Sequence, residues 1–250
     1  MGKQTNKSGS NFGGHWTNEK LTIIDDYLSF YTTALSRQNV KLIYIDAFAG
    51  SGKTTLKDGS VVDGSAVKAL QYNFDHYYFI EIDKARIKAL EQIVNNRFPE
   101  KASIITIING NCNEKLKQVL SSLTKYQRGV MFLDPYALEL DWSILESASN
   151  TGILDVWYLF PVNALVRNLP HNKRITDATS NKIDRILGTH NWEEALYSES
   201  QQLSLFDEPH FERVNFEELV AFVAERLKTT FAYVSDKSRI LKNSKNSEMI

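Results

Sequence analysis

Residues 41–52, KLIYIDAFAGSG, constrain the fold more than any other stretch of the chain. Four apolar residues, Leu42 to Ile45, lead into Asp46, and the chain then breaks into small residues. This is the pattern of a buried parallel strand feeding a tight, ligand-facing turn. Glycines at 50 and 52 let the backbone take positive φ and approach a ligand closely. Two cofactor classes use such a turn. One is the nucleotide phosphates of a P-loop protein; the other is S-adenosylmethionine in a Rossmann-like methyltransferase, where an acid and glycines line the methionine end.

The remainder of the chain is read against that strand. Met1 to Gly14, rich in Gly, Ser, Asn and Lys, has too little apolar surface to offset the entropy of ordering it and is expected to be a flexible tail. Thr17 is expected to cap a helix, with Trp16 and Leu21 at staple spacing around it. Leu21, Ile24, Leu28, Tyr31 and Leu35 carry the helical repeat. Strands follow at Tyr77 to Asp83, Ser103 to Asn109, Gly129 to Asp134 and Leu154 to Phe160. Helices lie between them: one begins near Ser65, one carries Ile87 to Val94 and stops at Phe98 before Pro99, one is capped by Asn113, and one spans Trp142 to Ala148. Such alternation predicts an α/β, Rossmann-like fold: a mostly parallel sheet with helices on both faces. Ligands bind such sheets beyond the carboxyl ends of the strands, where Asp46, Glu81, Gly110 and Asp134 fall. The expectation is one domain over 15–250, with a helical and loop insertion at about 163–210. Asn215 and Glu218 then cap a helix, and Phe231 to Ser235 reads as a sixth strand. The chain stops just as a further strand begins, so the C-terminus is expected to be truncated and that sixth strand to be left with an unpaired edge.

Composition narrows the class. The formal net charge of -1 argues against wholesale coating of nucleic acid, while leaving room for a local basic face. Cys112 is the single cysteine, which rules out an internal disulfide and a cysteine-rich metal site and fits a reducing cytoplasm. It reads as a packing residue, since no histidine is near it in sequence. No signal peptide or membrane span is legible: the longest apolar run, Val156 to Val166, is interrupted by Pro161 and Asn163. The sequence therefore reads as a soluble cytoplasmic protein with no membrane partner and no metal site.

The two cofactor classes make different demands. Ala47 to Thr54, AFAGSGKT, is one glycine short of a Walker A loop, and GVMFLD could serve as its Walker B strand. A P-loop helix, however, starts at its Lys and Ser/Thr and runs on, whereas Asp58 and Gly59 break this one within two turns. The methyltransferase alternative uses more positions. Asp46, Phe48, Gly50 and Gly52 would hold the methionine moiety, and Glu81, ending the second strand, would accept from the ribose hydroxyls as an acid does in dinucleotide folds. Asp134-Pro135-Tyr136 is the candidate catalytic element. A carboxylate and carbonyls on an exocyclic amine steer its lone pair toward the sulfonium methyl, and an adjacent aromatic can stack on an extruded base.

In their order, FAGSG, FIEID and FLDPY resemble the amino-methyltransferases of nucleic acid, whose motifs are FxGxG and [DN]PP[YF]. This chain lacks the second proline, and Lys53 follows its glycine turn. From Trp16 onward it is more closely similar to the bacterial three-Cys-motif partner (TcmP) family. The similarity lies in HW…K…YL, YIDAFAGSG, DGS, FIEID, RGVMFLDPY and DVWYLFPVNALVR. The resemblance implies a methyltransferase-like fold, S-adenosylmethionine as cofactor and a three-Cys-motif protein as partner. It also implies that Asn111, where such enzymes often carry Asp, meets the adenine amine. A non-catalytic, methyltransferase-like binding module serving that partner stands beside the enzyme as an alternative, because of the missing proline.

Two surface features remain. Arg167 to Arg185 holds five Lys and Arg against two Asp, which could track a phosphate backbone or form a solvated helix face. Gln202 to Phe206, QLSLF, resembles the peptide that bacterial proteins insert into the sliding clamp, with Leu205 and Phe206 as anchors.

Overall fold

The structure is a computed structural model that describes residues 15–56, 58–199, 211–235, 241–242 and 248–249. The expected tail and the Gln202–Phe206 segment lie outside the described residues.

The chain opens with α1 (His15–Leu35) and β1 (Lys41–Asp46). After the glycine turn come β2 (Lys53–Thr55), β3 (Val61–Asp63), α2 (Ser65–Ala69), β4 (His76–Glu81) and α3 (Lys84–Arg97). A 3-10 turn at Pro99–Ile104 leads to β5 (Ile105–Asn109), α4 (Cys112–Ser122), β6 (Gln127–Leu133), α5 (Trp142–Thr151) and β7 (Leu154–Tyr158). The remaining elements are α6 (Val162–Asn168), α7 (Asp177–Leu187), α8 (Trp192–Leu196), β8 (Tyr197–Glu199), β9 (Phe211–Arg213), α9 (Phe216–Thr230), β10 (Leu241–Lys242) and β11 (Glu248–Met249).

Five strands form one parallel sheet in the order β5-β4-β1-β6-β7. Strand β1 is central: the chain leaves it toward β4 and β5, then crosses back to β6 and β7. That reversal opens a crevice at the carboxyl ends of β1 and its neighbours, and it is where a Rossmann-like α/β fold binds its ligand. The period of two in β1 sorts its side chains between the faces. Tyr44 packs with Ile24 and Leu28 of α1, Val67 of α2 and Leu90 of α3. Ile43 and Ile45 pack on the other face with Leu116 of α4 and Trp142 and Leu145 of α5. Burial of an Ile or Leu of this kind contributes about 1.5–3 kcal/mol, so the apolar stripe of α1 fastens that helix to the sheet. A third apolar cluster joins α6, α7, α8 and α9 through Leu165, Ile186, Trp192 and Leu219.

Several expectations are corrected. Helix α1 starts at His15, so Thr17 lies inside it and is not its cap. Asn111, rather than Asn113, caps α4: its side-chain oxygen accepts from the Asn113 backbone N–H. Phe231 to Ser235 form no strand; Phe231 is the C-cap of α9, and the parallel sheet has five strands among the described residues. The unpaired edge expected of a sixth strand therefore does not arise there. The Asn215–Glu218 pair does form a capping box, with both reciprocal bonds in place. Among the described residues, no helix is long and apolar enough to cross a membrane.

The largest local departure follows the glycine turn. No helix begins at Lys53; instead β2 and β3 pair as an antiparallel hairpin around Asp58-Gly59, with Gly59 at φ 83°. The Asp-Gly dipeptide between two β-branched runs is a hairpin signal. Lys53 sits 2.5 Å from Asp63, which Arg97 also grips through two bonds of 2.8 Å. These bonds, those to Arg97 foremost, draw the Asp63 carboxyl down to about 2. The lysine that a P-loop would aim at phosphates is thus held by a hairpin, and the P-loop alternative fails on this geometry.

Candidate functional site

The glycine turn is fixed by hydrogen bonds at each step. Ala47 N–H donates to the Phe132 carbonyl of β6, Ala49 N–H to the Ile80 carbonyl of β4, and Gly50 N–H to Glu81 Oε2 at 3.0 Å. Gly50 and Gly52 have φ of 63° and 76°, the left-handed region that side chains with a Cβ resist. They differ in surroundings. A Cβ on Gly52 would stand 2.7 Å from Val67 and 2.9 Å from Leu90, whereas one on Gly50 would meet nothing within 4 Å.

Asp46 is wholly buried beneath this turn. Its Oδ1 accepts from the Phe48 N–H at 3.1 Å and its Oδ2 from the Ser65 hydroxyl at 2.6 Å. Burial drives its carboxyl up to about 7; the two hydrogen bonds pull the other way, the charge of Asp134 adds to the rise and that of Lys20 opposes it. Glu81 is buried too and accepts from Gly50 N–H on one oxygen and Asp83 N–H on the other, the latter at 2.9 Å. Arg86 Nη1 also lies 3.8 Å from Glu81 Oε2, and Oε1 keeps a second lone pair for a ligand hydroxyl.

A cleft of about 610 Å³ opens at this end of the sheet, lined by Phe48, Glu81, Ile82, Asn111, Cys112 and Leu138 among others. The structure thus brings Phe48, Glu81 and Asn111 together. The Asn111 carbonyl oxygen already caps α4, which leaves it one further lone pair. Cys112, pushed up to about 11 by burial, is a packing residue with little thiolate character. Ile82, 68% exposed on the rim, presents an apolar surface beside the Glu81 carboxylate, as a nucleoside base over its ribose requires. Sequence reasoning passed over it, although an apolar residue between two acids at a strand end was a visible signal. It passed over Ser65 as well, as a partner of Asp46.

The cleft is not a cationic groove. Lys117, Lys182 and Arg185 line it, and so do Glu81, Glu114, Glu139 and Asp141. Arg185 Nε lies 2.7 Å from Asp141 Oδ1, an ion pair without the angle of a hydrogen bond. Within the basic segment, Lys173 faces Glu193 and the rings of Tyr197 and Phe211.

Asp134 and Tyr136 stand at the end of β6, next to β1. Pro135 is buried, whereas Tyr136 is 72% exposed. Asp134 is not a bare acceptor: Lys20 of α1 donates to its Oδ2, with the two side chains 11% and 23% exposed. Lys20 lies 114 positions away in sequence, and nothing local links it to Asp134. The stretch HW…K…YL contains it, with no role attached.

No protein-family model matches the chain, and no curated protein matches it. Among solved structures it is similar to protein LPL1258 from Legionella pneumophila, at 15% identity and a TM-score of 0.47, over 90% of this chain and 94% of that one. It is also similar to the glycopeptide N-methyltransferase MtfA complexed with S-adenosyl-L-homocysteine, at 10% identity and a TM-score of 0.39, over 98% and 92% of the chains. A third is magnesium protoporphyrin IX methyltransferase from Synechocystis with bound SAM, at 13% identity and a TM-score of 0.35, over 82% and 85%. These are likenesses of shape at low identity; the fold assignment stands on the strand order above.

Proposed function

We propose that the chain is an S-adenosylmethionine-binding, methyltransferase-like protein. The observation that carries this reading is the glycine turn itself. Of its two positive-φ glycines, Gly50 donates its N–H to the carboxylate at the end of β4, and that carboxylate opens onto a cleft with an apolar rim. Glu81 would accept from the ribose hydroxyls, Ile82 and Phe48 would flank the adenine, and Asn111 would meet its amine. Asp46, beneath the turn, would favour the positive charge of the methionine end in its ionised form, which that charge would itself promote. S-adenosylmethionine supplies an activated methyl group on a sulfonium. The acceptor in this reading is an exocyclic amine of a nucleic-acid base, oriented by Asp134 and stacked on Tyr136. The resemblance to the three-Cys-motif partner family makes a three-Cys-motif protein the proposed partner, and Gln202–Phe206 remains a proposed clamp-binding segment.

One observation favours a second reading. Lys20 already occupies the Asp134 carboxylate, as it would in a cofactor-binding module that no longer transfers methyl groups. Calorimetric titration separates both from nucleotide binding, and a methyl-transfer assay separates them from each other. S-adenosylmethionine should bind without magnesium, more weakly in Glu81→Ala, and magnesium-dependent ATP binding should be absent. Tight ATP binding lost in Lys53→Ala would overturn the reading. Cofactor binding with no transfer to single-stranded DNA or RNA would favour the module.

A further inference from the structure

We infer that Lys20 is itself a methyl acceptor, modified in cis; this rests on the S-adenosylmethionine reading above. The ammonium of Lys20 sits on the carboxylate assigned to orient the acceptor nitrogen, so a nitrogen of this chain already stands where a substrate amine would be held. Asp134 follows two residues after Phe132, which pairs with Asp46 at the end of β1, so the ammonium lies at the end of the sheet from which the glycine turn leaves.

The helix that delivers Lys20 is fixed. Leu21, Ile24 and Leu28 are buried against the sheet, Tyr27 donates to Asp155, and Asp25 accepts from Lys68 and from the Tyr72 hydroxyl. The nitrogen is therefore presented at one place rather than swept through solvent, which is the condition for an intramolecular reaction to outrun a bimolecular one. With its side chain 11% exposed, Lys20 is a poor target for an outside enzyme.

The chemistry balances without a further reagent. The ammonium gives its proton along the hydrogen bond to Asp134, which is partly exposed and passes it to water. The freed lone pair attacks the sulfonium methyl; the carbon–nitrogen bond forms as the carbon–sulfur bond breaks, and the pair leaves with sulfur. Nε-methyllysine, S-adenosylhomocysteine and one proton result. Asp134, at the end of β6, accepts from Lys20, and Asp46 of β1 lies close enough for its charge to interact with that of Lys20.

The test needs no external substrate. The purified full chain is incubated with S-adenosylmethionine carrying a deuterated methyl group, which separates new methyl groups from any acquired during expression, and the product is digested and mapped by mass spectrometry. A deuterated methyl on Lys20, lost in Asp134→Asn and without an equivalent in Lys20→Arg, is the expected result. Wild-type mapping stands alone if a variant does not fold. Calorimetry on the same sample keeps the two levels apart. Cofactor bound but Lys20 unmodified, or label spread over exposed lysines and unchanged in Asp134→Asn, overturns the inference and leaves the cofactor reading standing. No cofactor binding overturns both.

Discussion

Two turns leave neighbouring strands at the same end of the sheet, and they are built by opposite means. The turn after β1 is made of its own neighbourhood: backbone N–H groups, two left-handed glycines and the Glu81 carboxylate at the end of the adjacent strand. The turn after β6 is held by an ion pair from a helix at the other end of the sequence and shows an exposed tyrosine. The first is a rigid cradle whose shape is set before a ligand arrives. In the second, the carboxylate proposed to orient a substrate already has a partner within the chain, so a substrate bound there would compete with a contact that holds α1.

Substitutions in the first turn should have the largest effects. Gly52→Ala combines a left-handed backbone, costing about 1–2 kcal/mol, with a Cβ driven against Val67 and Leu90, costing about 1–3 kcal/mol more. Gly50→Ala carries only the first cost. In a chain of this size each kcal/mol lowers the melting temperature by about 2–4 °C, so thermal unfolding should rank Gly52→Ala well below Gly50→Ala. Equal losses would show that the packing around Gly52 yields freely.

Next in size comes the ion pair. Lys20→Met and Asp134→Asn each leave the other group without its partner, at about 1–3 kcal/mol once partial exposure is allowed for. Asp134→Asn should therefore lower stability as well as any methyl transfer, because the residue also fastens α1. The double variant should recover part of the loss, a coupling visible in urea unfolding. Purely additive losses would mean that the pair contributes nothing to holding the second turn.

The last effect is a slope with pH. Asp46, near 7 in the folded chain, keeps a proton where an unfolded aspartate, at about 3.9, has lost its own. Between those values the folded state binds more protons, so stability falls as pH rises from about 4 to about 7, by up to about 1.4 kcal/mol per unit. Asp46→Asn should flatten that part of the profile, measured by urea unfolding across the window. Asp63 acts in the opposite sense: its contribution is present above about 4 and fades as pH falls toward 2.

The contrast between the turns also explains what was legible in the sequence. The sheet and its central strand were, because a continuous apolar run ending in Asp46 marks β1 and the 3.6-residue repeat of Leu21, Ile24, Leu28 and Tyr31 marks α1. Phe48, Glu81 and Asn111 could be placed at one cleft because parallel strands bring their carboxyl ends together. The β2–β3 hairpin was hidden by strands of three residues, and the false sixth strand by β-propensity that no neighbouring strand rewards. Lys20 could not be assigned to Asp134, since a charge pair spanning 114 residues leaves no periodic trace.

A crystal structure of the protein with S-adenosylhomocysteine decides whether the cleft holds the cofactor. The ribose hydroxyls should lie on Glu81, the adenine against Ile82 and Phe48 beside Asn111, and the homocysteine end over Gly50 with the turn unmoved. A ligand bound elsewhere, or a cleft still empty at saturating concentration with the Gly50–Glu81 bond intact, would contradict that placement.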